Sequence, residues 1–179
     1  MRAAKAVALA DDSAEMAPMS EAPPSSTLDT SRAAGARVLV VDDDAEAREE
    51  LRTMLTELGL VVEVVATASA ASSCMAACAY DAIVLDYHVA GLEPVAFVRD
   101  LKRDPRGPLV PVLMLSKRPS SRDAIDAFAS GADDFLPKPF RAPELGARIF
   151  GLLRRARLAR SSSMAPEDGS PLSKGRSTR

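Results

Sequence analysis

Four places in the chain set a reactive side chain at or just beyond the end of an apolar run. Val38-Leu39-Val40-Val41 leads into Asp42-Asp43-Asp44, and Ala82-Ile83-Val84-Leu85 into Asp86. Val112-Leu113-Met114-Leu115 leads into Ser116, and Asp134-Phe135-Leu136 into Lys138, which stands between Pro137 and Pro139. Short continuous apolar runs read as strands buried on both faces. In an open parallel sheet, ligands bind outside the carboxyl ends of the strands. Asp42, Asp43, Asp86, Ser116 and Lys138 are therefore expected along one edge. Carboxylates gathered there repel one another unless a cation lies among them. Oxygen-only donors favour magnesium, or manganese in its place. A cation, an ammonium and a hydroxyl around one further carboxylate make a phosphoryl-binding pocket. The cation and Lys138 neutralise phosphoryl oxygens, Ser116 donates a hydrogen bond to one, and Asp86 is the nucleophile that gives an acyl phosphate.

The elements that must position these groups follow in order. Asp44 suits the cap of a helix over residues 45–58, whose apolar stripe is Leu51, Met54, Leu55 and Leu58, and Gly59 stops it. A second strand is predicted over 61–66 and an Ala-rich helix over 69–79. After the Asp86 strand, Gly91 and Pro94 bracket a loop before a helix over 95–103, with Phe97, Val98 and Leu101 inward. Pro105 and Pro108 break it. A fourth strand over 111–115, a helix over 122–130 ended by Gly131, and a short strand over 134–136 come next. The last helix opens near Ala142-Pro143-Glu144 with Leu145, Ile149, Leu152 and Leu153 as its inner stripe. Strands alternating with helices predict an α/β fold, a doubly wound five-stranded parallel sheet with five helices and right-handed crossovers. Residues 1–35 read as a disordered N-terminal extension, 36–155 as the folded domain, and 156–179 as a flexible basic, Ser-rich tail.

Composition narrows the function classes. The chain has 179 residues, 47% hydrophobic and 27% charged, which fits about one domain with tails. Lys+Arg number 23 against 25 Asp+Glu, a net charge of −2 that carries no basic excess for nucleic acid. The Arg154-Arg155-Arg157-Arg160 cluster suits a helix end and has no interleaved aromatics, so direct nucleic-acid contact is not expected. With 2 Cys and 1 His, a zinc site lacks ligands, and Cys74 and Cys78 read as reduced, apolar residues on one helix face. No run reaches the roughly 18 apolar residues of a membrane span. The basic, apolar opening at residues 1–10 stops at Asp11-Asp12, short of a signal peptide. The expected location is cytoplasmic. Met16 and Met19 are alternative starts.

Residues 36–155 resemble the receiver domain of two-component response regulators. Val40-Val41-Asp42-Asp43-Asp44 is similar to the family's acidic pair, Leu85-Asp86 to its phosphoacceptor, and Val112-Leu113-Met114-Leu115-Ser116 to the strand carrying its switch Ser/Thr. Gly131-Ala132-Asp133-Asp134-Phe135-Leu136-Pro137-Lys138-Pro139-Phe140 is similar to its Lys-Pro-Phe signature. The resemblance implies a flavodoxin-like fold and a chemotaxis-regulator-like, stand-alone receiver rather than an enzyme. It takes part only in its own phosphoryl transfer and acyl-phosphate hydrolysis. Asp86 would accept phosphoryl from a sensor histidine kinase or phosphotransfer protein. Asp43 and Asp86 would hold the metal directly, Asp42 through water, with the backbone carbonyl of His88 as a further ligand. Ser116 would swing toward the phosphate and Phe135 turn inward. The Lys138–Pro139 bond would be cis. The face formed by the fourth helix, fifth strand and fifth helix would bind a downstream protein. The chain departs from the family at Ala90, where Pro is common, at Pro94, where Gly is common, and at Lys117, where a small residue is usual. His88 and Arg118 hold the family's lifetime-tuning positions.

Other readings stand beside this one. A pseudo-receiver would keep the fold and bind partners without phosphorylation. The ending Leu152-Leu153-Arg154-Arg155-Ala156-Arg157-Leu158 resembles the linker to a DNA-binding domain, as in a shortened transcription regulator. Asp42 and Asp44 form the Asp-x-Asp of a haloacid-dehalogenase-type phosphatase, with Ser116, Lys138 and Asp133-Asp134 as its remaining parts.

Overall fold

The structure, a computed structural model, describes residues 34–163 apart from residue 106. The expectations for the N-terminal extension up to residue 33 and for the tail beyond residue 163 lie outside the described residues. The elements are β1 (Arg37–Val41), α1 (Ala45–Glu57), β2 (Val61–Val65), α2 (Ala68–Ala77), β3 (Ala82–Asp86), α3 (Pro94–Arg103), β4 (Val112–Ser116), α4 (Ser121–Ser130), β5 (Asp134–Pro137) and α5 (Ala142–Ser163). A short 3-10 turn, Gly107–Leu109, joins α3 to β4.

All strand pairs are parallel and the order is β2-β1-β3-β4-β5. This is the doubly wound parallel sheet that the alternating pattern predicts, in the flavodoxin-like arrangement that the resemblance implies. Side chains alternate between faces along a strand. Val38 and Val40 pack with Leu51, Leu55, Leu145, Ile149 and Leu153 in one cluster, beneath α1 and α5. Leu39 and Val41 pack with Ala71, Val98 and Ala127 in the other, beneath α2, α3 and α4. β3 and β4 are buried at every position, which is why their sequences are unbroken apolar runs.

Helix ends show the expected chemistry with small shifts. The Asp44 carboxylate accepts from the N–H groups of Glu46 and Ala47, capping α1. α2 starts one residue earlier than predicted, where Thr67 caps it through Ala70 N–H, and it ends two residues earlier. α3 begins at Pro94, a residue suited to a first turn. α4 begins at Ser121, one residue early, because Ser120 and Asp123 form a reciprocal capping box. The largest shift is at the end. The sequence reading closes the folded domain at residue 155, whereas α5 runs on to Ser163. Ala156 is buried, and the Arg160 guanidinium reaches Asp81 at 3.3 Å, so tertiary contacts hold turns that composition marks as tail.

Candidate functional site

The register brings the reactive groups together. Val41 pairs with Leu85, Asp86 with Leu115, and Ser116 with Pro137. Asp42 therefore comes level with Asp86 at the carboxyl edge, and Ser116 and Lys138 follow from the next two strands. Asp42 is 1% exposed, Asp86 3% and Ser116 0%. Buried charges persist only when paired. The Lys138 ammonium supplies the pairing, at 2.7 Å from Asp42 Oδ2 and 2.6 Å from Asp86 Oδ1. The Lys138–Pro139 bond is cis. Lys138 N–H donates to the Ser116 carbonyl at 2.7 Å, which locks the base of the lysine to β4.

The remaining carboxylate oxygens face backbone. Asp42 Oδ1 accepts from Asp44 N–H at 2.9 Å and Asp86 Oδ2 from His88 N–H at 2.8 Å. Asp43 is exposed, yet its Oδ2 accepts from Ala90 N–H at 2.9 Å, tying the β1–α1 loop to the loop after β3. The Ser116 Oγ accepts from Arg118 N–H at 3.3 Å. As an acceptor there, it keeps its own hydroxyl proton for another partner.

Three carboxylates against one ammonium leave excess negative charge, and every donor is a hard oxygen. That chemistry fits a divalent cation, since each carboxylate oxygen has a second lone pair to give. Among the described residues no three His, Cys, Asp or Glu side chains are already grouped as a cation site. Lys138 lies between two of the three carboxylates instead.

Around this core lie residues the sequence reading treated lightly or missed. Tyr87 packs edge-on to His88, with ring centroids 5.3 Å apart, and to Phe135 at 6.3 Å. Burial, then Asp123 and Asp126 of α4, push the Tyr87 hydroxyl pKa up. Phe135 is partly buried against the second cluster, one ring away from the residue that follows Asp86. The Lys117 ammonium bonds Asp44 Oδ2 at 2.7 Å. A cavity of about 440 Å³ opens beside the site, lined by Asp44, Glu50, Leu51, Lys117, Lys138 and Phe140 among others. The bulk of Lys117 was visible in the chain, but its partner was not, because Asp44 lies 73 positions away.

One expected grouping fails. Asp133 lies at the opposite edge of the sheet from Asp42, where its carboxylate accepts from Val112 N–H and Lys102. Asp134 pairs with Arg148 on α5. Parallel strands put the start of β5 far from the end of β1, so Asp133-Asp134 cannot complete a phosphatase site with Asp42. Cys74 and Cys78 are free and partly buried, and the Cys74 thiol donates to Glu63 of β2. That hydrogen bond and burial raise the Cys74 pKa, holding the thiol protonated. Among the described residues no helix is long and apolar enough to cross a membrane.

Comparison with known proteins agrees with this geometry. Residues 38–150 match the response regulator receiver domain family. The chain is 38% identical over 124 residues to the transcriptional activator protein PfeR of Pseudomonas aeruginosa, covering 69% of this chain and 40% of that protein. It is 40% identical over 122 residues to the response regulator MprA of Mycobacterium ulcerans, covering 68% of this chain and 52% of the relative. The chain thus spans about half the length, or less, of these curated relatives. Among solved structures, the receiver domain of a Francisella response regulator superposes with a TM-score of 0.62 at 30% identity, covering 68% of this chain and 98% of that one. Full-length FixJ from B. japonicum gives 0.66 at 28% identity, over 72% of this chain and 63% of that one.

Proposed function

The chain belongs to the response regulator receiver domain family, and from that premise we propose that Asp86 is its phosphoacceptor and that phosphorylation switches its binding to a downstream protein. The observation that carries this reading is the buried Lys138 ammonium bridging Asp42 and Asp86. An Asp86 oxygen attacks the phosphorus of a phosphohistidine on a sensor kinase or phosphotransfer protein. The new bond is O–P, the bond that breaks is P–N, and the leaving imidazole takes up a proton. Lys138 neutralises charge on the phosphoryl oxygens, and Ser116 turns its free hydroxyl proton toward one of them. Magnesium or manganese, held by Asp42, Asp43, Asp86 and the His88 carbonyl, would supply further neutralisation of that charge when bound.

The acyl phosphate adds negative charge beside Lys138 and Ser116 and biases an equilibrium between two arrangements. Phe135 moves with Ser116. The readout face is α4–β5–α5, where Ile125 is 65% exposed and Phe128 51% exposed. Such a receiver works in the cytoplasm as a signalling protein, not as a catalyst acting on other molecules, and needs no direct contact with nucleic acid.

The test is incubation with magnesium and acetyl phosphate, followed by a phosphate-affinity gel on the wild type and Asp86→Asn. A slow-migrating band in the wild type that is absent from the mutant supports the reading. A band that survives the substitution places the phosphoryl group elsewhere. No band with any donor turns the assignment to a phosphorylation-independent scaffold.

A further inference from the structure

The sheet order places β3 between β1 and β4. Neighbouring strands lie about 4.8 Å apart, so the ends of β1 and β4 are about 10 Å apart, with Asp86 between them. Asp44 follows β1 and Lys117 follows β4, and their side chains meet at 2.7 Å. That bond therefore joins the two loops that flank the end of β3. Lys117 is also within electrostatic reach of Asp42 and Asp86. It shares with Lys138 the cavity that flanks the site on the α1 side.

We propose that the Asp44–Lys117 pair is an exchangeable latch across the mouth of the Asp86 pocket, making Lys117 the residue that decides how readily a phosphodonor reaches Asp86. This rests on the phosphoacceptor reading of Asp86. Both partners are partly exposed, and an exposed ion pair is weak enough to open and close readily. Asp44 holds the latch with the oxygen that is not used for capping: Oδ1 accepts from Glu46 and Ala47, and Oδ2 takes the ammonium. The latch therefore opens without uncapping α1.

The experiment is the rate of Asp86 labelling by acetyl phosphate with magnesium in the full chain. The variants are Lys117→Ala, Lys117→Met, Lys117→Arg, Asp44→Ser and the Lys117→Ala/Asp44→Ser double. Serine keeps the helix cap but cannot reach Lys117. Lys117→Ala, Lys117→Met and Asp44→Ser should each raise the rate about two- to fivefold, the range open to an exposed ion pair. Lys117→Arg should match the wild type, and the double should be no faster than the faster single. Labelling of Lys117→Ala, Lys117→Met and Asp44→Ser where the wild type stays unlabelled would also support the latch. A labelled wild type with unchanged or slower variants overturns the latch and leaves Asp86 as acceptor. Faster labelling in Lys117→Ala but not in Lys117→Met or Asp44→Ser makes bulk the barrier and overturns the ion pair's role. A wild type and variants that all stay unlabelled overturn the acceptor reading, and the latch falls with it.

Discussion

Lys138 neutralises part of the negative charge of two buried carboxylates, and this asymmetry predicts unequal effects of two substitutions. Removing it in Lys138→Met leaves Asp42 and Asp86 buried without a counter-charge, a loss of about 3–5 kcal/mol in urea unfolding followed by far-UV circular dichroism. Asp86→Asn leaves Lys138 paired with Asp42 alone, one charge against one, and should change stability by less than about 1 kcal/mol in the same assay. A result in which Asp86→Asn is the more damaging variant would mean that the pocket is not electrostatically overloaded with acid. Asp44 gives a pH signature. The Lys117 hydrogen bond, then the Ala47 N–H, lower its pKa from 3.8 to about 2. A carboxyl depressed in the folded state contributes stability above its unfolded pKa, and that contribution is lost as pH falls through the folded value. The window is therefore roughly pH 4 down to 2. In Lys117→Ala the folded pKa rises toward the ordinary value, so stability should fall less steeply across that window, as read by acid titration at constant ionic strength.

At the scale of elements, two glycines carry opposite predictions. A Cβ on Gly107 would lie 1.7 Å from the Leu101 carbonyl oxygen, a backbone atom in the last turn of α3. Gly107→Ala should displace the α3–β4 connection and cost more than about 3 kcal/mol, visible as a lower denaturant midpoint. Gly151 sits inside α5 with nothing within 4 Å of a built Cβ. Gly151→Ala should stabilise by about 0.5–1 kcal/mol, because alanine loses less backbone freedom in a helix. Equal effects at the two positions would contradict the packing described. Nothing in composition separates these glycines. Gly59 and Gly131 were legible as helix stops because they follow apolar stripes, whereas the demand on Gly107 comes from a carbonyl that only the fold brings near.

At the scale of the molecule, protection should follow the sheet order. β3 and β4 are buried at every position, while β2 is an edge strand with no fully buried residue. Amide hydrogen exchange should be slowest in β1, β3 and β4 and measurably faster in β2, since opening an edge exposes less apolar surface. Uniform protection across all five strands would show that the domain opens only as a whole. The two ends of the domain are also joined. Asp81 accepts from Arg37 N–H and pairs with Arg160, so the start of β1, the turn before β3 and the last turns of α5 share one carboxylate. That link and the buried Ala156 tie α5 to the domain beyond the boundary read from composition.

Hydrophobic period and the residues that stop it settled the element order, the parallel sheet and the four polar strand ends, because burial on both faces leaves an unbroken apolar signature. Aspartates 42 and 86, Ser116 and Lys138 were legible for that reason: each stands where an apolar stretch stops, and parallel pairing sends all such stops to one edge. Other arrangements belong to tertiary structure alone. Lys138 between two carboxylates, Lys117 on Asp44, Tyr87 between His88 and Phe135, and Asp133 at the far edge all depend on which strands are neighbours. A side chain's charge and reach are written in the chain, but its partner is decided by strand order and register, which bring together residues that no local pattern relates.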